Sequence, residues 1–347
     1  MHGERTGYCS LALTVLLLFA GSTAARAQDA TTSPPVPPPG RLIDLGGWHL
    51  HLHCTGEART SQPTVILEAG SGDFSVDWSL VQPGVARFAR VCSYDRAGAG
   101  WSELGPRPRT MHQVAWELRT LLEKAGERPP YVLVGHSSGG WLVRVFRSAY
   151  PADVIGVVLC ESGDERALFT VKDDKKVALV EAATGQALPA IKTSDPLRDT
   201  DIPPRFRSMI EAQVKDLAPH ANDPPRDKLP ADAQRMRTWS ISQVKHHIVN
   251  DNPFAAEEMA ALLAERTTKK HALGDMPLVV LTRGGTEREA AENPAGEQKR
   301  KSNQASLVAL SRVGKQVVAS RSGHHIPLDE PELVITAIRD VLAVLRK

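Results

Sequence analysis

The chain lacks an apolar run long enough to cross a bilayer. Leu11–Ala20, the apolar stretch near its start, falls well short of the roughly 20 residues a membrane-spanning helix needs. An imbalance of charge is also missing. Forty-two Lys and Arg against 40 Asp and Glu leave a net charge of +2, with no basic run or stripe, which argues against a nucleic-acid partner. Only 4 cysteines occur in 347 residues, and none forms Cys-x-x-Cys, which removes zinc ribbons and dithiol redox pairs. Glycine-rich phosphate loops in a strand-to-helix setting are absent too, so no nucleotide is implied.

The N-terminal stretch has the features of an export signal. Arg5 supplies a charged start, Leu11–Ala20 an apolar centre of signal-peptide length, and Ala25-Arg26-Ala27 a small-x-small cleavage site. Residues 1–27 are therefore expected to be a signal peptide, and the protein to be exported to a bacterial periplasm or secreted. No stable membrane span is expected after cleavage. Cys9 would leave with the signal, and export makes a disulfide chemically permissible for the remaining Cys54, Cys92 and Cys160. Residues 28–40 end in Pro34-Pro35-Val36-Pro37-Pro38-Pro39-Gly40, an extended leader with no capacity for a core.

The most informative stretch is Tyr131–Gly140. A short β-branched run, Tyr131-Val132-Leu133-Val134, leads into Gly135-His136-Ser137-Ser138-Gly139. Apolar residues at helical spacing follow (Trp141, Leu142, Val145, Phe146). Strand, Gly-x-Ser-x-Gly and helix in this order make a nucleophile elbow, with the serine at the apex of a sharp turn. The following helix would aim its free N–H groups and positive dipole end at the site.

Other strands are expected at 42–45 and 48–54, as a hairpin around Gly46-Gly47, and at 64–67, 90–94, 154–160, 277–282 and 316–319. Helices are expected within 77–89, from Thr110 to Ala125, near Asn303–Ser311 and from Pro331 to Leu345. Residues 162–274 are charged, contain proline, and show helical stretches with no convincing strand. Alternating strands and helices imply an α/β fold with a mostly parallel sheet covered on both faces. The domain plan is a core in two parts, 41–161 and 275–347, with 162–274 as an inserted helical cap.

Four features in this order resemble the α/β-hydrolase superfamily. They are Ala69-Gly70-Ser71-Gly72, the Asp-Arg-x-Gly-x-Gly-x-Ser loop at 95–102, the elbow at 135–139, and Ser322-Gly323-His324 ahead of a final helix. The resemblance covers about Arg41 to the C-terminus and is least in 162–274. It is similar in detail to exported bacterial hydrolases of poorly defined substrate. It implies an eight-stranded, mostly parallel sheet with helices on both faces and an inserted helical cap. It also implies a role for each site residue. Ser137 is the nucleophile and His324, rather than His325, its base. The backbone N–H groups of Ser71 and Ser138 form the oxyanion hole.

The acid that orients the imidazole is left open. The aspartate common in the superfamily after the seventh strand is missing from Thr282–Glu287. Glu161, at the end of a buried strand, is favoured over Glu287, and Asp164 comes third. The 95–102 loop is expected to be architecture, with Arg96 bonded to carboxylates or carbonyls.

A serine hydroxyl needs an adjacent base, and imidazole has the suitable pKa. The expected activity is cleavage of a carboxylic ester through an acyl-enzyme, on a small-molecule substrate. The same triad in an aminopeptidase or amidase is the alternative, and an inactive hydrolase-like binding protein is a third reading. A serine in place of a nucleophilic aspartate argues against epoxide hydrolysis or dehalogenation. The chemistry needs no cofactor. His49, His51 and His53 alternate on one strand face, expected to be half-exposed and not a metal site. Cys54 and Cys92 are placed near each other by the superfamily's strand order, with register deciding whether they pair. Oligomeric state is left open.

Overall fold

The computed structural model describes residues 36–59, 62–166, 168–171, 175–178, 183, 188–248, 252–284 and 293–346. Ten strands run in chain order through them: β1 (Arg41–Asp44), β2 (His49–Thr55), β3 (Thr64–Glu68), β4 (Val91–Tyr94), β5 (Tyr131–His136), β6 (Val154–Cys160), β7 (Leu168–Val171), β8 (Lys175–Ala178), β9 (Leu278–Arg283) and β10 (Lys315–Ala319). Eight of them form one sheet in the order β1-β2-β4-β3-β5-β6-β9-β10. β1 and β2 pair antiparallel, as do β2 and β4, and every other neighbouring pair in this sheet is parallel.

The central strands are buried on both faces, as a covered parallel sheet requires. Along β5, Tyr131 and Leu133 face one core while Val132 and Val134 face the other. The helices Met111–Ala125 and Gly139–Ala149 cover the first face, and Gln82–Ala86 and Pro331–Val344 the second. Thr110 Oγ1 accepts from Gln113 N and Gly126, at φ 82°, ends the first of these helices. Both caps follow their sequence signals.

Chain order reverses at β3, which lies between β4 and β5. Such a switch point opens a crevice beyond the carboxyl ends of the strands, where ligands of open α/β sheets bind. The loops after β3, β5, β6, β9 and β10 all leave from that edge.

Several sequence expectations are revised. The segment between β6 and β9 carries the helices Pro204–Leu217, Ala231–Ile241 and Ala255–Thr268, but it also holds β7 and β8, an antiparallel pair. Their connection is charged and lacks a glycine turn, so no hairpin signal is visible. The helix expected near Asn303–Ser311 begins earlier, at Pro294, with Asn293 Oδ1 accepting from Gly296 N, and it ends at Leu307. Helical structure over 77–89 is divided into a 3-10 turn at Ser75–Trp78 and a short helix at Gln82–Ala86.

The end of the proline-rich leader packs on the fold. Trp101 Nε1 donates to Val36 O at 2.6 Å, and Gly40 N donates to His51 Nε2 at 3.1 Å. His51 is consequently not half-exposed. It is fully buried under the Asp95–Trp101 loop, with Nδ1 bonded to Asp95 Oδ2 at 2.9 Å and its ring tilted against that of Trp101. His49 alone of the three pairs with a surface acid, Glu103.

Cys54 and Cys92 lie directly opposite each other on β2 and β4 and form a disulfide across 38 residues of chain. Register decided the pairing. Cys160 is buried and free, and burial pushes its thiol well above the usual range. Replacing both Cys54 and Cys92 by serine is expected to lower unfolding stability by about 2–4 kcal/mol, measured by denaturant titration against the oxidised wild type.

Candidate functional site

Ser137 directly follows β5 and precedes the helix Gly139–Ala149. Its φ of 53° places it in the left-handed region, one of two such non-glycine residues in the described chain. The other is Glu161 at 41°, at the end of the neighbouring β6. Strained backbone of this kind gathers at functional sites. The turn is held by bonds from Ser137 N to Cys160 O (3.1 Å), Gly140 N to Ser137 O (3.0 Å) and Gly163 N to Ser137 O (3.0 Å).

Glycine is required on both sides of the apex. A Cβ at Gly135 would lie 2.6 Å from Gly139 O, and one at Gly139 would lie 2.5 Å from Glu68 O. These approaches bring the elbow against the loop after β3, which carries Ser71. Ser138 N–H, at the mouth of the helix, has no acceptor among the described residues. It remains available to a developing oxyanion.

Arg96 fastens the loop after β3. It donates to Glu68 Oε1 at 2.6 Å, to Ala69 O at 2.8 Å, and to Gly70 O. Tyr94 OH donates to the same buried Glu68 carboxyl, which burial pushes up and Arg96 pulls back. Arg96 thus bonds one carboxylate and two carbonyls, the kind of partners expected for it. Burial alone would raise the Asp95 carboxyl, but His51 and the bonds it accepts hold it below its ordinary value. Those bonds come from His51, Ser75 N and Trp101 N.

His324 follows β10 and shares a cleft of about 390 Å³ with Ser137 and Glu161. Desolvation is the leading cause that pushes its pKa down, to about 3, followed by the neighbouring His136, His325 and Arg283. By surface area the residue as a whole is exposed. A lowered pKa keeps the imidazole neutral, as a general base must be.

The three candidate acids differ in what they touch. Glu161 is 4% exposed, accepts from Arg283 N and Arg300 Nη1 at 2.8 Å each, and is raised by burial against these partners. Asp164 is bonded to Arg166 and Arg266. Glu287 lies outside the described residues. No carboxylate bonds the His324 ring among the described residues.

Several participants gave no motif-level signal. Asp329 Oδ2 accepts from Gly323 N at 3.0 Å and Ser322 Oγ at 3.2 Å, bracing the loop that carries His324. His136, inside the elbow, is 4% exposed, and its Nε2 meets His324 O at 2.9 Å. Asp73 and Asp77, on the loop after β3, take Arg226 and Arg237 from the segment between β6 and β9. The distances are 2.8 Å for Arg226 to Asp73 and 2.6 Å for Arg237 to Asp77. The sequence reading passed over all of them, although His136 is a polar residue at the end of an otherwise apolar strand.

Two groups among the described residues have metal-ligand spacing, Asp73–His136–His325 and Cys54–Cys92–Glu127. The second is closed by the disulfide. The first has two guanidinium groups on its carboxylate, which disfavours a cation. Titration of His324 by NMR is expected to give a midpoint below the ordinary 6.5, with the ring neutral at pH 6.

A family model described as "Alpha/beta hydrolase family" matches residues 21–337. An "AB hydrolase superfamily protein" of Gibberella zeae is 25% identical over 308 residues, covering 86% of this chain and 92% of that protein. The "Probable transporter efuK" of Hormonema carpetanum is 26% identical over 326 residues; the match takes in 87% of this chain but only 42% of that protein. A thermophilic esterase from Thermogutta terrifontis superposes with a TM-score of 0.58 at 19% identity, covering 88% of this chain and 99% of that one. That likeness shows the fold alone. With the model match spanning most of its length and the sheet eight-stranded and mostly parallel, this chain belongs to the alpha/beta hydrolase family.

Proposed function

We propose that the protein is a serine hydrolase that cleaves a carboxylic ester through an acyl-enzyme. Ser137 attacks the carbonyl, and His324 takes its proton and returns it to the leaving alcohol. The N–H groups of Ser71 and Ser138 receive the oxyanion. The observation that carries this reading is the strained Ser137 at the carboxyl edge of the sheet, in one cleft with a histidine whose pKa is lowered. Water then repeats the sequence on the acyl-enzyme, with His324 again as base.

Glu161 is the proposed orienting acid, from its place at a strand end in the wall of the same cleft. Its engagement by Arg300 and the Arg283 amide favours a second reading in which Glu287 fills the role. Amide hydrolysis by the same residues is the alternative reaction, because the triad alone does not separate ester from amide. Export is part of the proposal. The N-terminal apolar segment and the Cys54–Cys92 disulfide support it. Among the described residues no helix is long and apolar enough to cross a membrane.

The described residues lining the cleft include no large apolar side chain. Beyond Ser137 and His324 they are Gly163, Gly296 and polar or charged groups such as Ser162, Arg166, Lys299 and Asn303. This favours a short or polar acyl group over a long aliphatic one. Hydrolysis of p-nitrophenyl acetate and butyrate is expected to exceed that of the palmitate on the order of tenfold or more in kcat/KM. Rapid turnover of long esters alone would overturn the substrate reading.

Ser137→Ala and His324→Ala are expected to lose at least about 10³-fold in kcat, and the amide variant of the true acid about 10²–10⁴-fold. Glu161→Gln measured beside Glu287→Gln names that acid. A wild type with neither turnover nor fluorophosphonate labelling would refute the enzyme reading.

A further inference from the structure

We propose that His136, the residue between Gly135 and Ser137, is a positioning residue that holds the backbone of His324 against the elbow through its Nε2–H. The proposal rests on the reading of His324 as base. His136 is buried, 4% exposed, at the last position of β5. Its Nε2 lies 2.9 Å from the carbonyl oxygen of His324, 188 residues away in sequence. A carbonyl oxygen only accepts, so Nε2 carries the hydrogen and Nδ1 the lone pair in the neutral ring. The partner thereby sets the tautomer.

Nδ1 faces the loop after β3, where Asp73 Oδ2 lies 3.8 Å away, beyond hydrogen-bond range. The free space at this contact is small. A Cβ on Gly70 would meet His136 Nδ1 at 3.1 Å, Asp73 Oδ2 at 3.2 Å and Ser137 Cβ at 3.2 Å. One imidazole thus touches the oxyanion loop, belongs to the elbow and bonds the base loop.

A cation held by Asp73, His136 and His325 is the rival use of these atoms, which lie within 4.8 Å of one another. Charge decides against it. Arg226 Nη2 and Arg237 Nη2 already sit 2.8 and 3.2 Å from Asp73 Oδ1. A cation would have to bind beside both guanidinium groups. The nearest cavity, of about 10 Å³, has room for about one water.

The consequence concerns the proton transfer. The His324 ring hangs from a loop braced on its other side by Asp329. Losing the His136 bond frees the backbone at the base itself, and a displacement of about 1 Å there costs on the order of 10²-fold in rate.

The test compares His136→Gln, His136→Asn and His136→Leu. Glutamine places its amide nitrogen at the Nε2 position, asparagine at the Nδ1 position, and leucine supplies bulk without a donor. His136→Leu and His136→Asn are expected to lose about 10–100-fold in kcat with KM within about threefold of wild type. His136→Gln should stay within about threefold in both. An equal loss in all three would mean packing alone, and an undiminished His136→Leu would remove the role.

Nitrogen-15 NMR of the wild type provides a second readout that does not depend on variant folding. It should show His136 as the Nε2–H tautomer, and an Nδ1–H tautomer would overturn the proposal. A wild type inert toward both esters and fluorophosphonate means the hydrolase reading has failed. A labelled wild type with a fully active His136→Leu means only the positioning role has failed.

Discussion

The left-handed backbone of Ser137 is the constraint around which the carboxyl edge of this sheet is built. Holding a side-chain-bearing residue there costs about 1–3 kcal/mol, so the surroundings must impose it. They do so through covalent geometry and hydrogen bonds together. The bond from Ser137 N to Cys160 O ties the apex to β6, and Gly163 N returns to Ser137 O from the chain beyond. That return requires the chain after β6 to turn at once, and Glu161 takes its own positive φ at the turn. Gly135, Gly139 and Gly140 sit where any Cβ would strike backbone or Ser162. Two neighbouring strand ends are therefore strained as one unit.

Electrostatics decides how the segment between β6 and β9 relates to that edge. Asp73 and Asp77 are buried on the loop after β3, where unpaired carboxylates would be severely destabilising. Burial pushes Asp77 up to about 6, with Arg237 opposing and Asp73 reinforcing the shift. Asp73 goes the other way. Burial would raise it, but Arg237 and Arg226 together hold it far below the ordinary value. Both arginines come from the segment between β6 and β9, and Lys228 from the same stretch pairs with Asp329 beneath the His324 loop. That segment thus completes the charge balance of the loops on which the candidate site stands. Below them, the Glu68–Arg96–Tyr94 cluster fixes the carbonyls of Ala69 and Gly70.

Much of this was legible in the sequence because local chemistry was sufficient. The elbow needed only a β-branched run, two glycines and a helical repeat. Thr110 and Gly126 announced the limits of their helix, and Gly46-Gly47 the first hairpin. Errors arose where distant segments had the final say. Alternation on β2 placed His49, His51 and His53 on one face, but periodicity does not report that Trp101, Asp95 and Gly40 cover the middle histidine. The leader read as structureless because a proline-rich chain builds no core by itself, yet Val36 and Gly40 bond to surfaces formed by other residues. β7 is uncharged but only four residues long, and β8 opens on Lys175 and Lys176, so neither stood out from its charged surroundings as a strand.

By itself the sequence determined the α/β layering, the elbow and its serine, and the histidine after the last strand. Each follows from residue type at short spacing, which backbone sterics and periodic burial translate directly into local structure. Tertiary structure alone decided which groups meet. It paired Cys54 with Cys92 through strand register, gave Glu161 to Arg283 and Arg300, and brought His136 onto the carbonyl of His324. These contacts join residues 38 to 188 positions apart. Their geometry depends on how whole strands and loops come to rest beside one another, which no local pattern encodes.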